Sequence, residues 1–479
     1  MSDQIHEECG IFGIRANCRT NVAASAYYAL YSLQHRGQES CGIAVNDNGI
    51  IRNYTDSGLV PEVFTPERLE SLGMGAMAIG HTRYAAKSEA SRINAQPLLV
   101  KHVKGQMAFA HNGTILNAPH LRRELELKGA IFHTITDAEL VSYVITNARL
   151  EVGSIEKAVE VAMGKIQGAY CMVVMSPKKL IAARDPHGFR PLCMGKTEDG
   201  SVVFASETCA LDSMGAVYVR DVKPGEIVIV DEKGVRSIET HCGQKPALCV
   251  FEFVYFARPD SVLDGASVHH ARLRAGAYLA QEHPVEADVV IGVPDSGLDA
   301  ALGYARESGI PYGVGLIKNR YVGRTFIQPT QGQREDAVRI KLNALSHTVK
   351  GKRVVMVDDS IVRGTTSANI IKLLRKAGAT EVHMRISSPP FTNLCHFGTD
   401  IGSIKDLIAC RMSLEEIRQQ IGADSLGFMS IDAMSKIALT HDCSFCLGCF
   451  TGEYPIALPE PLPVDKFLNE IDIFNNDKE

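Results

Sequence analysis

The stretch KRVVMVDDSIVRGTTSANIIKLLRKAGATEVHMRISS, residues 352–388, is a complete β-α-β unit, and it sets the class of the carboxyl-terminal half of the chain. The apolar runs at its two ends suit parallel strands covered on both faces. Between them the spacing predicts a helix that buries Ile370, Leu373, Leu374 and Ala377 and stops at Gly378. Asp358 and Asp359 fall at the carboxyl end of the first strand, the edge of an open parallel sheet where ligands bind. A hydroxyl-bearing loop follows, in which Ser360, Arg363, Gly364, Thr365 and Thr366 lead into the helix. Hydroxyls and amides at a helix start hold phosphate, whereas two aspartates suit ribose hydroxyls or a Mg²⁺ that carries further phosphates. A helix cap beside a solvated acid pair is the plainer alternative.

Working upstream, ADVVIGVPDSG (287–297) reads as a strand entering a loop, and LDAALGYARESG (298–309) as the helix after it. A long stretch dense in Lys and Arg, GLIKNRYVGRTFIQPTQGQREDAVRIK (315–341), separates these from the opening β-α-β unit. Before position 235 the rhythm differs. Short strands such as CGIFGIR, CGIAVND, AMAIGHTRY, MAFAHNG and AYCMVVM alternate with a few helices, among them AASAYYALYSLQHRG, AELVSYVITNAR and SIEKAVEVAMGKI. This is an α+β pattern, and the change to α/β falls in HCGQKPALC (241–249). The expected division is residues 1–8, a strand-rich unit over 9–235, a parallel-sheet unit over 245–450, and a Pro-punctuated, acidic tail over 451–479.

An apolar fraction of 45% and a charged fraction of 22% over 479 residues are those of a globular protein with more than one core. The net charge of −5 gives no footprint for nucleic acid or for an anionic membrane. The chain has neither an apolar run of bilayer length nor a secretory signal at its start, so the cytoplasm is the expected location. Thirteen cysteines in that compartment point to buried thiols, a nucleophile or metal ligands rather than to disulfides.

Cys9 follows two acids and opens a strand-like run. An α-amine with a pKa of about 7.7–8.0 is matched to a thiol near 8.5, so a cysteine at a chain start carries its own base. That chemistry requires removal of Met1 to Glu8 as a propeptide; otherwise Cys9 is a buried structural thiol. HTRY (81–84) offers Arg83 for a carboxylate, HNG (111–113) offers Asn112 and the Gly113 amide as an oxyanion hole, and ITDAE (135–139) offers Asp137 for an ammonium group. RGQES (36–40) is positioned to close over such a site.

Together and in this order, these fragments resemble the glutamine-hydrolysing domain of N-terminal-nucleophile amidotransferases over roughly residues 9–235. The resemblance implies an αββα sandwich, attack of Cys9 on the glutamine amide, release of ammonia and hydrolysis of a thioester. Arg36, Arg83 and Asp137 would then hold the substrate. DDSIVRGTT (358–366) resembles the phosphoribosyl-diphosphate motif of type I phosphoribosyltransferases, and VPDSG (293–297) resembles the loop facing it. By that resemblance Ser296, Asp358 and Asp359 serve Mg²⁺. The basic stretch between the two loops points to Lys318, Arg320 and Arg324 as part of a lid over the diphosphate that excludes water, the alternative being a solvated basic loop.

With FARPDS (256–261) and IKNRYVGRTFIQP (317–329) added, the whole chain resembles the glutamine phosphoribosylpyrophosphate amidotransferase family. The implied reaction replaces diphosphate by ammonia at the anomeric carbon and gives phosphoribosylamine, the first step of de novo purine synthesis. Free ammonia would be protonated in water, so a closed apolar passage between the two sites is expected. CSFCLGC (443–449), Cys249 and Cys395 supply thiolates for a [4Fe–4S] cluster. The resemblance assigns it to Cys249, Cys395, Cys443 and Cys446, with Cys449 as a rival ligand, Cys242 a weaker one, and zinc as the alternative metal. It also implies feedback by purine nucleotides and a homotetramer. A nucleotide-sensing regulator that lost catalysis has no use for Cys9, Arg83, Asn112 and Asp137 together, and the loop at 354–366 disfavours an amidotransferase with another acceptor.

Overall fold

The structure, a computed structural model, describes residues 9–84, 92–319, 342–399, 403–438 and 444–459. The expected propeptide, Arg320, Arg324, Cys443 and residues 460–479 lie outside the described residues.

The amino-terminal unit is built on two stacked sheets. The seven-stranded sheet has the order Val217–Asp221, Cys193–Lys196, Val202–Ala205, Gly10–Thr20, Gly75–Arg83, Ser40–Asp47 and Ile50–Ser57. The six-stranded sheet has the order Gly234–Ile238, Ile227–Asp231, Leu180–Arg184, Gly168–Met175, Gly105–Ile115 and Leu98–His102. Alternation along each strand sends side chains to opposite faces. Thus Phe12 and Ile14 pack beneath the helix Val22–Ser32, while Ile11 meets Ala110, Cys171 and Val173 of the facing sheet. The outer face of the second sheet is covered by the helices Asp137–Glu151 and Ile155–Met163. The result is the expected four-layer αββα sandwich. Gly168–Met175 is buried along its whole length because it is internal to its sheet and lies between two cores.

The helix expected to run to Gly37 ends at Ser32, and a single 3₁₀ turn, Gln34–Arg36, carries the chain to Gly37. The reason for the glycine is contact. A Cβ at Gly37 would lie 2.5 Å from the carbonyl carbon of Arg83.

The second unit holds four parallel strands in the order Val289–Gly292, Arg353–Asp358, Glu381–Ile386 and Ser425–Phe428. The helix Thr365–Lys376 buries Ile370, Ile371 and Leu374, with Leu373 and Ala377 half-buried at the edge of the same core. Gly378 turns the chain at φ +102°, where an L side chain would be strained. The two units are joined by direct contacts: the amides of Ala247 and Cys249 donate to the carbonyls of His187 and Phe189.

Candidate active site

Two sites form, one in each unit. In the first, Gly10 pairs with Thr82 and Ile11 with His81, which sets Cys9 beside the end of strand Gly75–Arg83. Cys9 is half-buried, its Sγ lies 3.7 Å from the carbonyl oxygen of Tyr84, and its own carbonyl accepts from Nε of Arg36 at 3.2 Å. Arg83 is buried and donates from Nη1 to the carbonyl of Asn94 at 3.2 Å.

Asn112 and Gly113 come from the opposite sheet. His81 brings them close: its Nε2 donates to the carbonyl of His111 at 3.0 Å, tying the Cys9 strand system to the residue before Asn112. Asn112 is fully buried, and neither its Oδ1 nor its Nδ2 has a hydrogen-bond partner among the described residues. A buried amide left this way costs free energy unless a ligand completes it. Gly113 stands at φ +124°, and a Cβ there would lie 2.0 Å from the carbonyl oxygen of Ala169, so only glycine fits. Asp137, at the start of helix Asp137–Glu151, accepts from the amide of Ile115 at 2.8 Å and so stands beside the same strand end.

His81 and His111 were not singled out in the sequence, although HTRY and AHNG contain them. Both are fully buried near Arg83, and burial, aided by that positive charge, pushes them down to about 3 and about 4. They are neutral struts at working pH. Arg36 also has partners the sequence does not disclose. Its guanidinium is buried and paired with Glu207 at 2.7 Å and with Glu252 at 2.9 Å, while Nε reaches the main chain of Cys9.

In the second site, Asp358 and Asp359 are buried at the carboxyl end of their strand, as expected. Asp359 accepts from the hydroxyls of Ser296 and of Ser360, so the loop after Val289–Gly292 and the loop after Arg353–Asp358 meet at this carboxylate. Burial, and for Asp358 also the neighbouring charge of Asp359, raises both carboxyls. Two buried acids with serine hydroxyls form a hard-oxygen donor set of the kind that suits a divalent cation. Gly364, at φ +84°, precedes the helix and supplies no capping side chain to its first turn, which begins at Thr365 and Thr366. Lys318 is ion-paired with Asp295 at 2.6 Å, beside Ser296, and Arg363 with Asp406 at 3.0 Å.

The thiols gather at the border of the two units. Cys249 and Cys446 are direct partners across a short parallel bridge, and Cys395 and Cys449 lie within electrostatic reach of both. Burial is the main reason that the Cys446 thiol is pushed up to about 12. Cys242 stands apart, among Glu239, Glu226 and Lys223. Among the described residues no three such side chains surround a single ion position.

The profile of a glutamine amidotransferase domain matches residues 81–213, and that of a phosphoribosyl transferase domain matches residues 267–387. The chain is 47% identical over 471 residues to an amidophosphoribosyltransferase of Synechococcus elongatus, covering 98% of this chain and 95% of the relative. It is 48% identical over 456 residues to that of Bacillus subtilis, covering 94% of each. The solved B. subtilis glutamine phosphoribosylpyrophosphate amidotransferase, complexed with ADP and GMP, superposes with a TM-score of 0.88 at 47% identity, over 94% of this chain and 98% of the other. A solved allosteric regulatory enzyme of purine biosynthesis gives 0.89 at 46% identity, over 95% and 98%.

Proposed function

The chain belongs to the amidophosphoribosyltransferase family, and from that premise we infer how its own residues divide the work. The enzyme takes ammonia from glutamine and passes it to phosphoribosyl diphosphate, giving phosphoribosylamine, glutamate and diphosphate, the first step of de novo purine synthesis. The residue-level reading rests on one observation above all: a fully buried Asn112 amide, unpartnered among the described residues, on the strand that His81 ties to the Cys9 sheet.

In this reading Met1 to Glu8 are removed and Cys9 becomes the first residue. Its α-amine takes the thiol proton, and the thiolate attacks the glutamine amide carbon. The oxyanion is received by the Asn112 side chain and the Gly113 amide. The amide nitrogen takes a proton and leaves as ammonia, and water hydrolyses the thioester to glutamate. Arg83 and Asp137 hold the carboxylate and ammonium of the substrate. Arg36 acts on Cys9 rather than on glutamine.

At the second site Ser360, Arg363, Gly364, Thr365 and Thr366 hold the phosphoribosyl group, with Lys318 and Arg320 approaching the diphosphate. Arg363 and Lys318 exchange Asp406 and Asp295 for substrate oxygens on binding. Asp358, Asp359 and Ser296 fit Mg²⁺, which when bound neutralises diphosphate charge. Cys249, Cys395 and Cys446 would hold a [4Fe–4S] cluster, with Cys449 or Cys443 as the fourth ligand. A bound cluster would be a structural clamp, since the reaction has no redox step. Ammonia crosses between the sites through an apolar passage. Similarity to the ADP- and GMP-bound relative supports feedback by purine nucleotides, and family membership supports a cytoplasmic homotetramer. No helix among the described residues is long and apolar enough to cross a membrane.

Cys9→Ala tests the scheme. Glutamine-dependent synthesis is expected to vanish while synthesis from added ammonium persists; retention of glutamine-dependent turnover would overturn the role of Cys9.

A further inference from the structure

Four fully buried charges lie behind Cys9: Arg36, Arg190 and Glu207 come from the first unit and Glu252 from the second. Arg36 donates from Nη1 to Glu207 Oε1 at 2.7 Å and to Glu252 Oε2 at 3.0 Å, and from Nη2 to Glu252 Oε1 at 2.9 Å. Arg190 donates from Nη1 to Glu252 Oε1 at 3.3 Å. Two cations and two anions balance, which is what makes their burial tolerable. Glu207 is further fixed by His35 at 2.7 Å and by the Ser261 hydroxyl at 2.7 Å. With every other Arg36 nitrogen held by a carboxylate, Nε is left in one direction, and it donates to the carbonyl of Cys9 at 3.2 Å.

Glu252 opens a single π-helical turn, Glu252–Phe256, in an otherwise apolar run. That turn is itself anchored from the far side. Arg272, buried in the helix Val268–Glu282, donates to the carbonyls of Phe253 at 2.7 Å and Ala257 at 2.8 Å. A charge of the phosphoribosyl-transfer unit is therefore carried on a rigid mount to the main chain of the residue that attacks glutamine.

We propose that Glu252 is a positioning residue for glutamine hydrolysis: acting through Arg36, it fixes the main chain of Cys9 so that α-amine and thiol stand in attacking geometry. This rests on Cys9 being the nucleophile, as inferred above. The amino-terminal residue of a trimmed chain has a peptide on one side only, so an anchor on its carbonyl is what a flexible terminus lacks. Displacement of a nucleophile by about 1 Å is enough to cost on the order of 100-fold in rate.

The test uses the full-length protein with Glu252→Gln, which keeps shape and loses charge, and Glu252→Asp, which keeps charge and withdraws it. Three quantities are read: glutamine-dependent synthesis, ammonium-dependent synthesis, and the rate and site of labelling by an electrophilic glutamine analogue, mapped by mass spectrometry. The expected result for Glu252→Gln is a fall in glutamine kcat of about tenfold or more with little change in KM. Labelling at Cys9 should slow in proportion, ammonium-dependent synthesis should stay within about twofold, and Glu252→Asp should recover part of the loss. Label found on a residue other than Cys9 in the parent enzyme would sink the nucleophile assignment instead. Parent-like labelling and kcat in Glu252→Gln, or equal loss of both syntheses in both variants, would overturn the positioning role, the latter because the charge would then serve only the fold.

Discussion

Replacing Asn112 by Leu separates function from stability in the glutaminase unit. The amide is fully buried and neither of its polar atoms has a protein partner among the described residues. The folded protein therefore loses no internal hydrogen bond when the amide goes. Desolvating an unsatisfied polar group costs roughly 1–3 kcal/mol, so a side chain of similar size without polar atoms should relieve part of that cost. The expected melting temperature is equal to or above that of the parent. Glutamine hydrolysis should move the other way, because loss of one oxyanion donor costs about 10²–10³ in kcat. Glutamate release, ammonium-dependent synthesis as an internal control, and thermal unfolding on the same preparation give the three numbers. Retained hydrolysis together with a lowered melting temperature would show that Asn112 supports the fold and not the oxyanion.

Acid should weaken the glutaminase unit through His81 and His111. Their folded values are pushed down from 6.5 to about 3 and about 4, so below pH 6.5 the unfolded chain binds protons that the folded chain refuses. Stability should then fall by roughly 3 kcal/mol per pH unit between about pH 6 and 4 from the two groups together, and His81→Gln should flatten that slope in a pH series of denaturant midpoints. At the second site, Asp359→Asn removes the charge on which Ser296 and Ser360 converge, and the KM for phosphoribosyl diphosphate should rise tenfold or more while Cys9 labelling is unchanged. For the thiols, Cys249→Ser should lower iron per chain in anaerobically purified protein, because Cys249 stands opposite Cys446 and beside Cys395 and Cys449.

The acid pair and phosphate loop were readable because strand, loop and helix start are contiguous, and the side each residue faces follows from strand and helix periods. The adjacency of Asn112 and Gly113 on one strand is likewise local, so HNG offered both as candidates. What escaped depends on contacts distant in sequence. Arg36 and Glu252 are 216 residues apart, and no local pattern pairs them; the available signal was a lone acid inside FEFVYF, an anomaly in a buried run. His81 stands two positions before Arg83 and so shares its side of the strand, which would have placed it at the site had the strand period been applied there. The thiols show the same limit: Cys443 and Cys446 are the assigned pair with Cys449 as their rival, and among the described residues Cys449 lies close to Cys249, Cys395 and Cys446.

The central claim is that a cysteine freed at the chain start hydrolyses glutamine for the second site. Intact-mass measurement of the purified, active enzyme, with amino-terminal sequencing, addresses it most directly. The expected result is a chain that begins at Cys9 in all molecules competent for glutamine-dependent synthesis. A chain still beginning at Met1 or Ser2 with full glutamine-dependent turnover would contradict it.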